Sequence, residues 1–303
     1  MAEPKVIGVD VGGTKILGAV VTREGEITAR GQRDTDVSSE EALLAVMDGI
    51  VEDLRAETEV AALGFGLPSR IDQRTGHAVA SVNIPLEGVD FRSRMQERHG
   101  LPVGIDNDAT AAAIGEWKAG AARGAGYVVM LTLGTGVGGG LILGGRPYRG
   151  ATGSGAELGH IVVDLDGPPC GCGGHGHLES YASGRAADGV AREVLGPGSD
   201  AHDLVERARG GELAAVEALA GIGRRLGAGI ASFVNVFEPE LVVVGGGFGD
   251  AGELLLGPAR EVVAVEGLAP ARDTVRIVQS ELGADAGVIG ASMLGFEALE
   301  AES

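Results

Sequence analysis

The chain has 303 residues, a formal net charge of −19 and a sequence pI of about 4.7, enough length for one large domain or two modest ones with buried cores. A protein so acidic is repelled by nucleic-acid phosphates and by anionic lipid, which excludes partners of both kinds. Two cysteines without a disulfide plan fit a reducing cytoplasm, and the opening Met-Ala-Glu-Pro-Lys lacks the layout of a signal peptide.

In chain order, Lys5 to Val11 is an apolar run, Gly12-Gly13 turns, and Ile16 to Val21 is a second run. Glu24-Gly25 turns again before Glu26 to Gln32, so an antiparallel meander opens the protein. Ser38-x-x-Glu41 reads as a capping box for a helix reaching Glu57, with Leu43, Leu44, Met47, Ile50, Val51 and Leu54 on one face. Val60 to Gly66 is a short buried strand closed by Leu67-Pro68, and Pro85 and Gly88 break the region beyond it. Leu101 to Ile105 predicts a strand ending at Asp106-Asn107-Asp108, and an alanine-rich helix runs from Ala109 to about Ala122.

The second half repeats this plan. Val128 to Leu133, a glycine turn over Gly134 to Gly140 and Leu141 to Leu143 form another strand–turn–strand unit. The stretch from Tyr127 to Gly145 lacks charge, but its seven glycines argue for strands and against a membrane span. Helical patterns cover Gly184 to Leu195 and Ala201 to Phe237, stopped by Glu238-Pro239. Leu241 to Val244 reads as a buried strand ending in Gly245-Gly246-Gly247, Val275 to Val278 as another, and Ala286 to Glu300 as a terminal helix. Periodicity alone gives an α/β protein.

Gly155 to Ser180 holds both cysteines and three of the six histidines. His160, Cys170, Cys172, His175 and His177 crowd together, bracketed by Glu157 and Glu179. Thiolate and imidazole are the ligands Zn²⁺ prefers, and four of them close a tetrahedral structural site. A Cys-x-Cys pair is an awkward disulfide, so the alternative is two free thiols among loop histidines. Each half also offers a glycine turn whose N–H groups can gather anionic oxygens, one at Asp10-Val-Gly-Gly-Thr-Lys15 and one at Gly134-Thr-Gly136. Taken singly each is equally an ordinary hairpin turn, and neither matches the GxxxxGK[ST] pattern. Asn107-Asp108, between a strand and a helix, reads both as an N-cap and as a carboxylate placed for proton transfer.

As an ordered set, from Val6 to about Gly290, these motifs resemble the ROK family (repressors, open reading frames and sugar kinases). The His160…Cys170-Gly-Cys172-Gly…Glu179 spacing is similar to that family's zinc motif, whose third cysteine is replaced here by His177. The resemblance implies a structural Cys₂His₂ site of His160, Cys170, Cys172 and His177, with His175 as the alternative fourth ligand. It implies a two-lobed ribonuclease H-like duplication of the actin/hexokinase type with a central cleft. Residues 1–108 and 286–303 would form the small lobe and 109–285 the large, zinc-bearing lobe.

The resemblance also implies roles. Asp108 would act as general base, and Asn83, Asn107, Asp108, Glu157, His160 and Glu179 would meet sugar hydroxyls. Asp10 would hold Mg²⁺ through water, Gly12, Gly13, Thr14, Lys15, Thr135 and Gly136 would surround the donor phosphates, and Gly245, Gly246 and Gly247 would lie against the adenosine of ATP. Asp106 falls outside the catalytic role. The implied reaction is phosphorylation of a hexose at its 6-hydroxyl by ATP. Glucose is the first choice; N-acetylglucosamine, N-acetylmannosamine, fructose and mannose are alternatives, and polyphosphate is an alternative donor. The family implies a homodimer or homotetramer. Sugar-sensing repressors of the family carry a helix-turn-helix ahead of the kinase-like part, whereas about four residues precede the first strand here. A sensor that binds sugar without turnover is the other reading, and retention of Asp10, Asn107 and Asp108 counts against it.

Overall fold

The computed structural model describes residues 3–81 and 83–302, and the chain divides into two compact units. The first comprises Met1–Gly124, Pro147–Ala156 and Asp285–Ser303. Its elements run β1 (Val6–Val11), β2 (Lys15–Val21), β3 (Ile27–Asp34), α1 (Glu40–Glu57), β4 (Ala62–Leu67), β5 (Ser69–Asp72), β6 (His77–Ser81), β7 (Val89–Asp90), α2 (Phe91–His99), β8 (Val103–Asn107) and α3 (Asp108–Ala119), and the unit ends in the C-terminal helix Ala286–Ala301. A five-stranded sheet has the order β3-β2-β1-β4-β8; β1, β2 and β3 are antiparallel, while β4 and β8 run parallel to β1. Strands β5, β6 and β7 make a separate small sheet. The expected apolar face of α1 is buried in full, and Phe65 meets Phe91 edge-on with ring centroids 5.1 Å apart.

The register of the parallel strands explains where the C-terminal helix lies. Gly8, Gly64 and Gly104 stand side by side on β1, β4 and β8. A Cβ at these positions would approach the carbonyl oxygens of Val288, Ala291 and Leu294 to 2.1, 1.7 and 2.1 Å. Helix backbone therefore rests directly on sheet backbone, a distance only glycine permits. Two residues along the same face, Asp10, Gly66 and Asp106 form the next row. The helix and the carboxylates thus share one side of the sheet.

The domain boundary expected at 108/109 lies instead after Gly124. Helix α3 belongs to the first unit because it packs backbone-on-backbone against the C-terminal helix. A Cβ on Gly290 would come within 1.6 Å of the Ala111 carbonyl oxygen, and one on Gly115 within 2.2 Å of that of Ala286. The small residues that read as helix propensity in α3 serve as a contact surface. The segment Pro147–Ala156 also returns to the first unit.

The second unit comprises Ala125–Arg146 and Glu157–Ala284. It contains β9 (Tyr127–Leu133), β10 (Val137–Leu143), α4 (Glu179–Ala182), α5 (Gly184–Leu195), α6 (Ala201–Arg209), α7 (Leu213–Phe237), β11 (Leu241–Gly245), α8 (Glu253–Glu266), α9 (Ala271–Thr274) and β12 (Arg276–Gln279); the C-terminal helix is then α10. Its sheet has the order β10-β9-β11-β12, an antiparallel hairpin followed by two parallel strands. That is the pattern of β2-β1-β4-β8 in the first unit.

Several local expectations shift. The turn between β9 and β10 closes by Gly136, and Gly138, Gly139 and Gly140 are strand residues opposite Thr132, Leu131 and Met130. The single helix expected over Ala201 to Phe237 is two, broken where Gly211 takes a φ of +83°. Helix α1 begins one residue late, because Asp36 Oδ1 accepts the Ser38 N–H and Ser39 becomes the N-cap for Ala42 N–H. Helices α2 and α8 and the β5–β7 sheet had no predicted counterpart. Among the described residues no helix is long and apolar enough to cross a membrane.

Candidate active site

In the first unit, the candidate residues gather at the C-terminal ends of β1 and β8 and at the start of α3. Asp108 Oδ1 accepts hydrogen bonds from its own helix, at Ala109 N–H (2.9 Å), and from Asn107 Nδ2 (2.8 Å). Asn107 Oδ1 in turn caps α3 by accepting from Ala109 N–H at 3.0 Å and Thr110 N–H at 3.1 Å. The capping reading and the positioned-carboxylate reading therefore describe one arrangement, in which the cap holds the carboxylate. Asp106 is buried at 3% exposure and accepts from Arg149 Nε (2.6 Å), Gln73 Nε2 (3.1 Å) and Asn107 N–H (2.9 Å). Burial raises its pKa, against the opposing pull of Arg149. Its bonds anchor the residue before Asp108 and pin the Pro147–Ala156 segment.

Asp10 stands on β1 in the row shared with Gly66 and Asp106. Burial, assisted by the negative charge of Asp108, raises its pKa to about 7. Gly287 makes room for its carboxylate, and Gly66 lies at ordinary contact distance from it. A Cβ on Gly287, in the first turn of α10, would lie 2.4 Å from Asp10 Oδ2, and one on Gly66 would lie 3.5 Å from Oδ1. The turn Gly12 to Thr14 comes next, braced by Thr35, whose Oγ1 donates to the Gly12 carbonyl at 2.8 Å and whose N–H donates to that of Thr14 at 3.0 Å. Gly13, Thr14 and Lys15 are exposed. Asn83, exposed in the segment between β6 and β7, holds a left-handed φ of 64°.

In the second unit, Thr135 is the exposed tip of the β9–β10 turn, and the Gly184 N–H ties the start of α5 to the Gly134 carbonyl at 2.7 Å. Gly246, with φ +82°, passes so close to β9 that a Cβ would lie 2.5 Å from the Leu133 carbonyl oxygen. A Cβ on Gly247 would meet nothing within 4 Å, and the residue lines a cavity of about 620 Å³ together with Gly134 and Thr135. A Cβ on Gly245 would lie 2.9 Å from Ser280 Cβ, so the first two of these three glycines are demanded by packing and the third is not.

Glu157 precedes a 3-10 turn, Leu158–His160, that presses on β10; a Cβ on Gly159 would sit 2.1 Å from the Val137 carbonyl oxygen. His160, Cys170, Cys172 and His177 bring their donor atoms to within 4.8 Å of one another. Cys170 Sγ lies 3.7 Å from His160 Nδ1, and Cys172 Sγ lies 3.2 Å from His177 Nδ1. A tetrahedral zinc site spaces such donors about 3.3–3.8 Å apart, so the set fits the ion with about an ångström of closure at its widest pair. His177, and not His175, belongs to this group. Gly176, at φ +61°, makes the crossing possible, since a Cβ there would fall 1.5 Å from the Asp164 carbonyl oxygen. Glu179 bridges this cluster to the β9–β10 turn. Its Oε2 accepts from Val137 N–H at 3.0 Å, and its Oε1 lies 3.6 Å from Cys170 Sγ.

Comparison with known proteins agrees with this architecture. The ROK family model matches residues 6–297. The chain belongs to the ROK family. A glucokinase of Streptomyces coelicolor is 36% identical, over 96% of this chain and 97% of its own length. A glucokinase of Thermotoga maritima is also 36% identical, over 97% of this chain and 98% of its own. Among solved structures, the ROK family glucokinase from Streptomyces griseus in complex with glucose and AMPPNP superposes with a TM-score of 0.85 at 36% identity, covering 97% of this chain and 99% of that one. The α/β, two-domain ROK sugar kinase fold is therefore that of this protein.

Within that fold, sequence reasoning missed Arg149 and Gln73, which act on Asp106 across long separations, and Gly287, which looked like one more helix glycine. It also missed the α5–α6 wall of the cavity, including Arg185 and Asp188. No local pattern marks these residues, because what matters is which distant segment each one faces.

Proposed function

We propose that this protein transfers the γ-phosphoryl group of ATP to the 6-hydroxyl of a hexose, with glucose as the preferred acceptor. It is a sugar kinase, and two glucokinases with 36% identity over nearly its full length support glucose among hexoses. The carrying observation is the placement of Asp108, oriented at Oδ1 by Asn107 and its own helix, on the sheet end that also bears Asp10.

The sugar oxygen attacks the γ-phosphorus in line, and its proton passes to the Asp108 carboxylate. The bond from the γ-phosphorus to its bridging oxygen breaks, and the electron pair leaves with ADP. Such general-base help contributes roughly 10²–10⁴ in rate, and positioning with electrostatic stabilisation supplies much of the rest. Asp10 would hold Mg²⁺, which screens the charge on the phosphates when bound. Asn83, Asn107, Glu157, His160 and Glu179 would orient sugar hydroxyls. Gly12, Gly13, Thr14, Lys15, Thr135 and Gly136 would serve the phosphates, and Gly245 to Gly247 the nucleoside. His160, Cys170, Cys172 and His177 would hold a structural Zn²⁺ that keeps the Glu157–Glu179 wall in shape.

ADP release from ATP and Mg²⁺, measured across single hexoses and N-acetylhexosamines, tests this reading. Glucose should give the highest kcat/KM. Turnover confined to an N-acetyl sugar would overturn the acceptor, and sugar binding with intact ATP would overturn the kinase.

A further inference from the structure

The cavity of about 620 Å³ in the second unit has a wall that the glycine motifs do not explain. Two of its edges are the Gly134-Thr135 turn and Gly247, and the rest comes largely from α5, α6 and the turn after β11. The charged groups on that wall are mostly occupied. Arg209 donates to the Asp250 carbonyl at 2.8 Å and pairs with Glu206 at 2.9 Å, and Asp188 Oδ1 accepts the Ala201 N–H at 2.8 Å. Arg185 differs. It is exposed on the second residue of α5, lines the cavity, and has no hydrogen bond or ion pair among the described residues. The bond from Gly184 N–H to the Gly134 carbonyl fixes its backbone beside the phosphate turn.

The geometry points to Arg185 as the residue that grips the non-transferred phosphates of a nucleoside triphosphate in this cavity, an assignment that rests on the kinase reading above. A guanidinium forms paired, charge-assisted hydrogen bonds to phosphate oxygens. In a chain of net charge −19, a guanidinium that lines a cavity and is uncommitted to any carboxylate has an anion as its natural partner. The remainder of the cavity suits a neutral group. Val205, Phe248 and Ala251 are buried apolar residues that can flank a flat base, while the carboxylates of Asp188 and Asp250 favour amino or hydroxyl donors. A polyphosphate chain would instead set charge after charge against those two carboxylates. The donor is thus a nucleoside triphosphate and not polyphosphate.

Calorimetric titration of the sugar-free protein with ATP, ADP, adenosine and tripolyphosphate tests this. Arg185→Gln should weaken ATP and ADP by about 10- to 100-fold. Adenosine at millimolar concentration should compete equally well in both proteins, and Arg185→Lys should recover part of the loss. In turnover, the KM for ATP should rise while that for the sugar holds. An Arg185→Gln variant that binds ATP like the parent, or that loses adenosine equally, overturns the phosphate role. Tripolyphosphate binding as tight as ATP overturns the donor class. A parent protein that binds no nucleotide at all overturns the kinase reading itself, a result distinct from either of these.

Discussion

Asp10 holds a carboxylate where the fold resists its charge, and replacing it should separate stability from activity. Its pKa is raised from 3.8 to about 7, by burial first and by Asp108 second. A carboxyl whose folded pKa lies above its unfolded value binds its proton more tightly in the fold. Its contribution to stability is therefore full below pH 3.8 and is lost as pH rises through 7. That rise corresponds to a penalty on the order of 4 kcal/mol for the ionised form at pH 8. Asp10→Asn removes that penalty with a neutral side chain of similar shape. Urea unfolding without added magnesium should show the variant more stable than the parent at pH 8, by up to that amount, with the gap closing towards pH 4. Kinase activity should be lost at every pH. Magnesium competes with the same proton, so its apparent affinity for the parent should fall about tenfold per unit below pH 7 and level off above pH 8. A variant no more stable at pH 8, or a gap independent of pH, would falsify this account of Asp10.

Other outcomes rest on the same geometry. Asp108→Asn should keep the fold and the sugar affinity while lowering kcat by about 10²–10⁴; a near-normal kcat would remove Asp108 from the base role. Gly287→Ala drives a methyl group into the Asp10 carboxylate, where a Cβ would lie 2.4 Å from Oδ2. Magnesium affinity should drop by tenfold or more with nucleotide affinity held, and unchanged magnesium dependence would show that α10 does not seat Asp10. Zinc analysis should find one ion per chain, and chelation or Cys172→Ala should lower the thermal midpoint and raise the KM for sugar. Metal-free protein with full sugar affinity would refute the role of His160, Cys170, Cys172 and His177.

Much of the chemistry was legible in one dimension because it is local. The Asp10-to-Lys15 turn, Asn107-Asp108 at a strand-to-helix junction and the Cys170-x-Cys172 run each lie within a few residues, so spacing alone declares them. The apolar stripe of α1 was equally plain, since helix periodicity sorts Leu43, Leu44, Met47, Ile50, Val51 and Leu54 onto one face without reference to anything else. Glycines were the least legible residues. Gly8, Gly64 and Gly104 matter because parallel register aligns them under α10, and Gly138 to Gly140 belong to a strand although they look like turn.

The family, the α/β alternation and the residue types able to do phosphoryl transfer follow from the order of residues alone. The packing of α3 with α10, the hold of Arg149 and Gln73 on Asp106, the place of Gly287 beside Asp10, and the shared cavity lining of Arg185 and Thr135 all come from the folded chain. The reason is physical. Turns, caps and periodic faces are set by covalent neighbours, whereas burial, a raised pKa or an uncommitted guanidinium depends on chain segments that meet only once the sheets have formed.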